Sequence, residues 1–125
     1  MRSIGRSVYI VLSWVFVAGL LVQVFLAGRG VFDNPLQFST HRDFGYTLSI
    51  VPVLMLVVGL IARAGRRLTV FAIVAFVMFI LQSVFVAARE SSPMIAALHP
   101  VNGFLILLVA IEMAREAWLM RTRPI

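Results

Sequence analysis

The chain of 125 residues contains no cysteine and no lysine, and it holds only two histidines. Without cysteine there is no disulfide, no thiolate metal site and no thiol nucleophile, and the redox compartment stays open. Charge is scarce: five acidic residues stand against eleven basic ones, all arginine. No Ser/His/Asp set, no pair of catalytic carboxylates and no phosphate-binding glycine loop occurs, so hydrolytic chemistry finds no support.

What is present is apolar. Hydrophobic residues make up 62% of the sequence and the mean hydropathy is +1.03, which excludes a water-soluble domain. Four stretches, Val8–Ala27, Phe44–Ala62, Leu68–Ala88 and Met94–Ala114, each approach the ~20 residues an α-helix needs to cross a bilayer. None alternates as a membrane β-strand would, and backbone groups in lipid must be satisfied internally, so helices remain. The sequence predicts an all-α fold: one integral membrane domain, residues 1–125, with four transmembrane helices at about 8–27, 35–62, 68–88 and 93–117. The first stretch follows Arg2 and Arg6 like a secretory signal. It is longer than a signal core, however, and lacks a small-x-small cleavage site, so it is expected to remain as a helix.

The arginines give an orientation. Arg2, Arg6, Arg63, Arg66, Arg67, Arg115, Arg121 and Arg123 fall on one side of a four-pass, up-down-up-down arrangement, and Arg29, Arg42 and Arg89 on the other. The positive-inside rule then puts both termini and the Ala62–Leu68 turn in the cytoplasm. The net charge of +6 reflects this topology and contact with anionic lipid rather than nucleic acid.

Both histidines occur in one local pattern. Asn34-Pro35 precedes His41, which precedes Gly45; Ser92-Pro93 precedes His99, which precedes Gly103, at the same spacings and 58 residues further on. Each pattern opens as a helix start, with Asn34 or Ser92 as the cap and proline in the first helical position. Thr40-x-x-Asp43 offers a competing start for the second helix. Pro52 predicts a kink. Phe25–Arg29 and Phe85–Arg89 are also alike, preceded in loose register by Gln23 and Gln82, so the chain reads as a duplicated helical hairpin.

Two histidines at equal depth on two like-directed helices suggest paired axial ligands of one metal centre. Gly45 and Gly103 lie one turn deeper on the same helix faces and would let a flat ring approach the backbone. Arg29, Arg42 and Arg89 lie where haem propionates would emerge, although Asp33, Asp43 and Glu90 are competing partners for them. Tyr46, Asn102, Gln23 and Gln82 could orient the ligands or bond one another, and Phe38, Phe44 and Phe104 could line a pocket. At the other end, Glu112 is expected to pair with Arg115 or Arg63. No zinc spacing is present.

His41-Arg42-Asp43-Phe44-Gly45 resembles the His-Arg-x-x-Ala/Gly stretch on a haem-ligating helix of haem A synthases, and His99 matches the second histidine of such a four-helix half. The arrangement is also similar to b-type membrane cytochromes. The chain as a whole resembles small bacterial four-helix membrane proteins with an Ala-Gly-x-Gly-Val-Phe segment (Ala27–Phe32), a His-Arg segment and a Leu-His-Pro-Val-Asn segment (Leu98–Asn102). This chain has no glutamate before His41, and it has only one four-helix unit. The resemblance therefore implies single-haem binding rather than haem A synthesis.

The expectation is a haem b protein of a bacterial cytoplasmic membrane, with His41 and His99 as metal ligands. It would transfer electrons near the outer face, with quinol or a larger redox complex as partner and the oligomeric state open. The alternative is a non-catalytic scaffold, accessory subunit or assembly factor without cofactor. A small transporter ranks last because the middle of each helix is apolar.

Overall fold

A computed structural model describes residues 2–122, all helix and turn with no strand among them. In chain order these are α1 (Arg2–Phe32), a 3-10 turn (Pro35–Gln37), α2 (Phe38–Leu48), α3 (Ile50–Ala62), α4 (Arg66–Ala87), α5 (Pro93–Ala96) and α6 (Leu98–Leu119). They form four segments long and apolar enough to cross a membrane: Ile4–Phe32, Pro35–Ala62, Arg66–Ala87 and Pro93–Leu119. The chain is a multi-pass helical membrane protein. Its outer surface is lined by exposed aliphatic and aromatic side chains, among them Val11, Leu21, Phe25, Leu60, Ile80 and Leu108, as lipid contact requires. Arg123 and Pro124, which entered the sequence-based topology and helix stop, lie outside the described residues.

The second and fourth segments break three residues before a proline. Ser49 precedes Pro52 and Ala97 precedes Pro100, with nearly the same backbone angles, φ −64° and ψ −16° against φ −64° and ψ −14°. Proline has no N–H to donate and its ring crowds the carbonyl four residues back, which loosens the preceding turn. Pro52 therefore acts as expected, whereas the continuous fourth helix expected from the sequence is in fact two. The ends also differ. α1 runs on to Phe32, five residues past the expected Ala27, and its last turn is held by an Arg29–Asp33 ion pair at 2.7 Å. Asn34 caps as expected, its side chain accepting from the Leu36 N–H at 2.9 Å. Ser92 makes no side-chain cap; its backbone carbonyl accepts from Ile95 and Ala96 instead.

Between α3 and α4 the chain reverses in three residues. Arg63 adopts the left-handed region at φ 51° and Gly65 sits at φ 98°, a conformation that favours glycine. The four segments form a closed ring: the first packs against the second and fourth, and the third does likewise, while diagonal segments share no backbone contact. Small residues permit these approaches. A Cβ on Gly5 would stand 3.0 Å from that of Ala62, and one on Gly19 would strike Leu48 at 2.6 Å. Ala72 and Ala75 on α4 and Ala110, Ala114 and Ala117 on α6 are all buried. Across one diagonal Phe16 and Phe79 meet with ring centroids 6.1 Å apart, and Met55 and Ile106 fill the space beside them. Apart from Ser13, whose hydroxyl donates to the Tyr9 carbonyl, the middle of the bundle is apolar.

Candidate functional site: a histidine–amide layer

The other diagonal is polar and lies near the end of the bundle that bears the 3-10 turn and α5. His41 stands six residues into the second segment and His99 six into the fourth, so at about 1.5 Å of rise per residue both lie at similar depth. Their rings meet edge to face, centroids 6.1 Å apart and planes inclined by 70°. This contact joins two diagonal segments whose backbones share no contact. The equal depth and mutual approach that the sequence repeat predicts are both present.

Each imidazole is fixed by the other helix of its own hairpin. His41 Nδ1 is 3.0 Å from the Gln23 carbonyl oxygen, and His99 Nδ1 is 3.3 Å from that of Gln82. A carbonyl only accepts, so Nδ1 carries the proton on both rings and each Nε2 is left as the base. The Gln23 amide nitrogen donates to the His41 carbonyl at 2.8 Å and lies 3.4 Å from His41 Nε2. Gln23 Oε1 is buried and accepts no hydrogen bond. On the second hairpin the Asn102 amide donates both to the Met78 carbonyl at 2.8 Å and to Gln82 Oε1 at 2.9 Å. One amide pair thus serves His99, where a single amide serves His41.

The two glycines make room for these amides. A Cβ on Gly45 would lie 2.7 Å from Gln23 Nε2, and one on Gly103 would lie 3.3 Å from Gln82 Nε2. The loose register of Gln23 and Gln82 in the sequence repeat becomes a spatial equivalence, each beside its hairpin's histidine and glycine. The remaining candidates lie around the layer rather than in it. Arg29 pairs with Asp33 at 2.7 Å, Arg42 with Asp43 at 2.8 Å and Arg89 with Glu90 at 3.7 Å. Tyr46 and Phe104 are exposed and Phe44 packs on the apolar core, but Phe38, against Gly30, also meets the His41 ring edge to face at 6.4 Å between centroids.

At the opposite end Glu112 binds Arg115 at 2.9 Å, as expected. Glu116, which the sequence places beside Glu112 and Arg115 without naming a partner, is buried and bonds Arg67 on α4 at 2.9 Å. Its signal was the i, i+4 spacing of Glu112 and Glu116, which places both carboxylates on one face toward a single arginine.

A family model described as a family of unknown function (DUF6220) matches residues 23–88, just over half of the chain. The match opens on Gln23 and takes in His41, Gly45 and Gln82. No curated protein and no solved structure matches.

These findings correct the expected electron-transferring haem protein. Among the described residues no group of three or more His, Cys, Asp or Glu side chains could hold a metal ion. The matching family is described as one of unknown function and lends haem binding no support. The physical reason lies in the space itself. The clearances beside Gly45 and Gly103, expected to admit a macrocycle, hold the Gln23 and Gln82 amides. The outer arginines, expected to meet propionates, are closed on acids of their own. Two shallow hollows, one beside Gly5 and Val58 and one beside Gly28 and Phe32, include neither histidine.

Proposed function

The chain belongs to the family of unknown function DUF6220, and we propose that it is a non-catalytic, proton-responsive membrane protein whose two hairpins are clasped by the His41–His99 pair. It lies in a bacterial cytoplasmic membrane, up-down-up-down, with both termini and the Arg63–Gly65 turn in the cytoplasm and the clasp toward the outer face. Eight arginines on one side against three on the other support that orientation. Because the chain has no cysteine, a single cysteine introduced at Ser91 or at Ala64 tests it. An impermeant thiol reagent added to intact cells labels the first and spares the second.

The observation that carries the functional reading is the commitment of both Nδ1 protons to backbone carbonyls. It leaves two basic Nε2 atoms on rings in contact across the junction of the hairpins. Imidazole changes charge between about pH 5 and 8, unlike other unperturbed side chains. The charged groups around the layer are already closed as Arg29–Asp33, Arg42–Asp43 and Arg89–Glu90, so the ring that faces His99 is that of His41. A proton on His41 Nε2 turns an acceptor into a donor and sets it against the Gln23 amide N–H; turning that amide offers the buried, unbonded Oε1. A second proton, on His99, places two cations 6.1 Å apart between ring centres. Their repulsion is up to roughly 3 kcal/mol at an effective dielectric of about 20, comparable to the several weak hydrogen bonds that hold the layer. The clasp is therefore closed when neutral and opens as the outer phase acidifies. Its output is a change in the surface that two hairpins present to neighbouring helices, the role of an accessory subunit.

Spin labels on Ser39→Cys and Ser91→Cys, one on each hairpin at the clasp end, read the opening directly. The distance between them lengthens from pH 8 to pH 5 and stays constant in H41Q/H99Q. An unchanged distance in the unmutated clasp, or an equal change without the histidines, refutes the reading.

A further inference from the structure

The arginines of the two ends are in different states. At the clasp end each is closed on an acid. At the opposite end six arginines among the described side chains, Arg6, Arg63, Arg66, Arg67, Arg115 and Arg121, stand against two glutamates, so that end is strongly positive. Glu112 and Glu116 are taken by Arg115 and Arg67. Arg63 and Arg66, flanking the α3–α4 turn, are exposed, and their side chains bond no described residue. Arg121 lies over the ring of Trp118 with its guanidinium carbon 4.4 Å from the centroid, and Trp118 is half exposed. Tryptophan of this kind settles at the level of lipid headgroups, and arginine meets phosphate with a two-pronged hydrogen-bonding fork. The Arg67–Glu116 ion pair brings the start of α4 to the last turns of α6, so the turn and the Arg121–Trp118 stack belong to one end of the bundle.

We infer that this end is a binding surface for anionic phospholipid, with Arg63 and Arg66 taking the headgroup phosphate and Arg121, on Trp118, closing the site at the headgroup level. The inference rests on charge and exposure here and is independent of the histidine clasp. Anionic lipid supplies the complementary charge in the plane where these guanidinium groups emerge, and each basic residue near the surface contributes about 1 kcal/mol of attraction.

The test uses the full chain with Trp14→Phe, which leaves Trp118 as its sole tryptophan, reconstituted in vesicles. Quenching by brominated phosphatidylglycerol is compared with quenching by brominated phosphatidylcholine. Phosphatidylglycerol associates beside Trp118 about fivefold or more tightly, and the preference weakens as salt is raised. R63Q/R66Q falls toward parity, R63K/R66K retains most of the preference, and R42Q/R89Q retains it all. Parity in the Trp14→Phe protein overturns the inference, and so does a preference that R63Q/R66Q leaves intact. Abolition of the preference by inorganic phosphate, but not by chloride at equal ionic strength, assigns the arginines to free phosphate and overturns the lipid assignment.

Discussion

The two hairpins solve one problem with different parts. Each brings a glutamine from its first helix against the histidine of its second and uses a glycine to admit the amide. In the first hairpin the Gln23 amide reaches the ring and backbone of His41 directly and leaves its oxygen unbonded. In the second, Asn102 satisfies the Gln82 oxygen and also anchors on Met78. In the second half the glutamine oxygen is bonded, and in the first it is a buried acceptor without a partner. An unbonded buried acceptor costs about 1–3 kcal/mol. The two like patterns thus differ in how their glutamine oxygens are satisfied.

Five substitutions break or sharpen that contrast. The largest effect is expected at Gly45: alanine there meets Gln23 Nε2 at 2.7 Å, expels the amide and destabilises by about 1–3 kcal/mol. Gly103→Ala meets its amide at 3.3 Å and is accommodated by a small shift at well under half that cost. Unfolding both variants in mixed micelles by denaturing detergent measures the pair, and equal losses would erase the distinction between the hairpins. Asn102→Leu removes both anchors of the second hairpin and costs about 1 kcal/mol, within the range found for hydrogen bonds between membrane helices. It should also give Gln82 the freedom that Gln23 already has, visible as broadened amide signals of residue 82 in NMR spectra. Gln23→Leu removes the bond to the His41 carbonyl along with the orphan oxygen, so the gain offsets the loss and stability changes by less than about 0.5 kcal/mol. The pH response of the spin-label distance shrinks with it. Arg42→Gln, at an exposed pair beside the layer, leaves unfolding unchanged, as surface ion pairs commonly do.

Much of this was legible in the sequence because bilayer physics is restrictive. Apolar stretches of spanning length, the Asn34 cap and the proline before each histidine required four helices and placed His41 and His99 at one depth. The repeat identified Gly45 and Gly103 as gaps. Spacing could not say what fills a gap, and the choice fell on a cofactor where two glutamines stand. The registers of Gln23 and Gln82 differ by one residue relative to their histidines, which hid their equivalence until the helices were packed. Pro100 was passed over because it follows His99 directly, whereas Pro52 lies eleven residues beyond His41; yet both loosen the backbone three residues upstream. The burial of Glu116 depends on how α4 meets α6, and no window along one helix contains that information.

The ring contact between His41 and His99 also bears on how the protein is made. One imidazole belongs to the second segment and the other to the last, diagonal helices whose backbones do not approach. A nascent chain with three segments in the bilayer already has Gln23 bonded to His41, but the diagonal is empty. Only the arrival of the fourth helix supplies its partner. The contact is therefore a mark of a completed bundle: a chain truncated before Pro93 leaves the His41 ring without its partner.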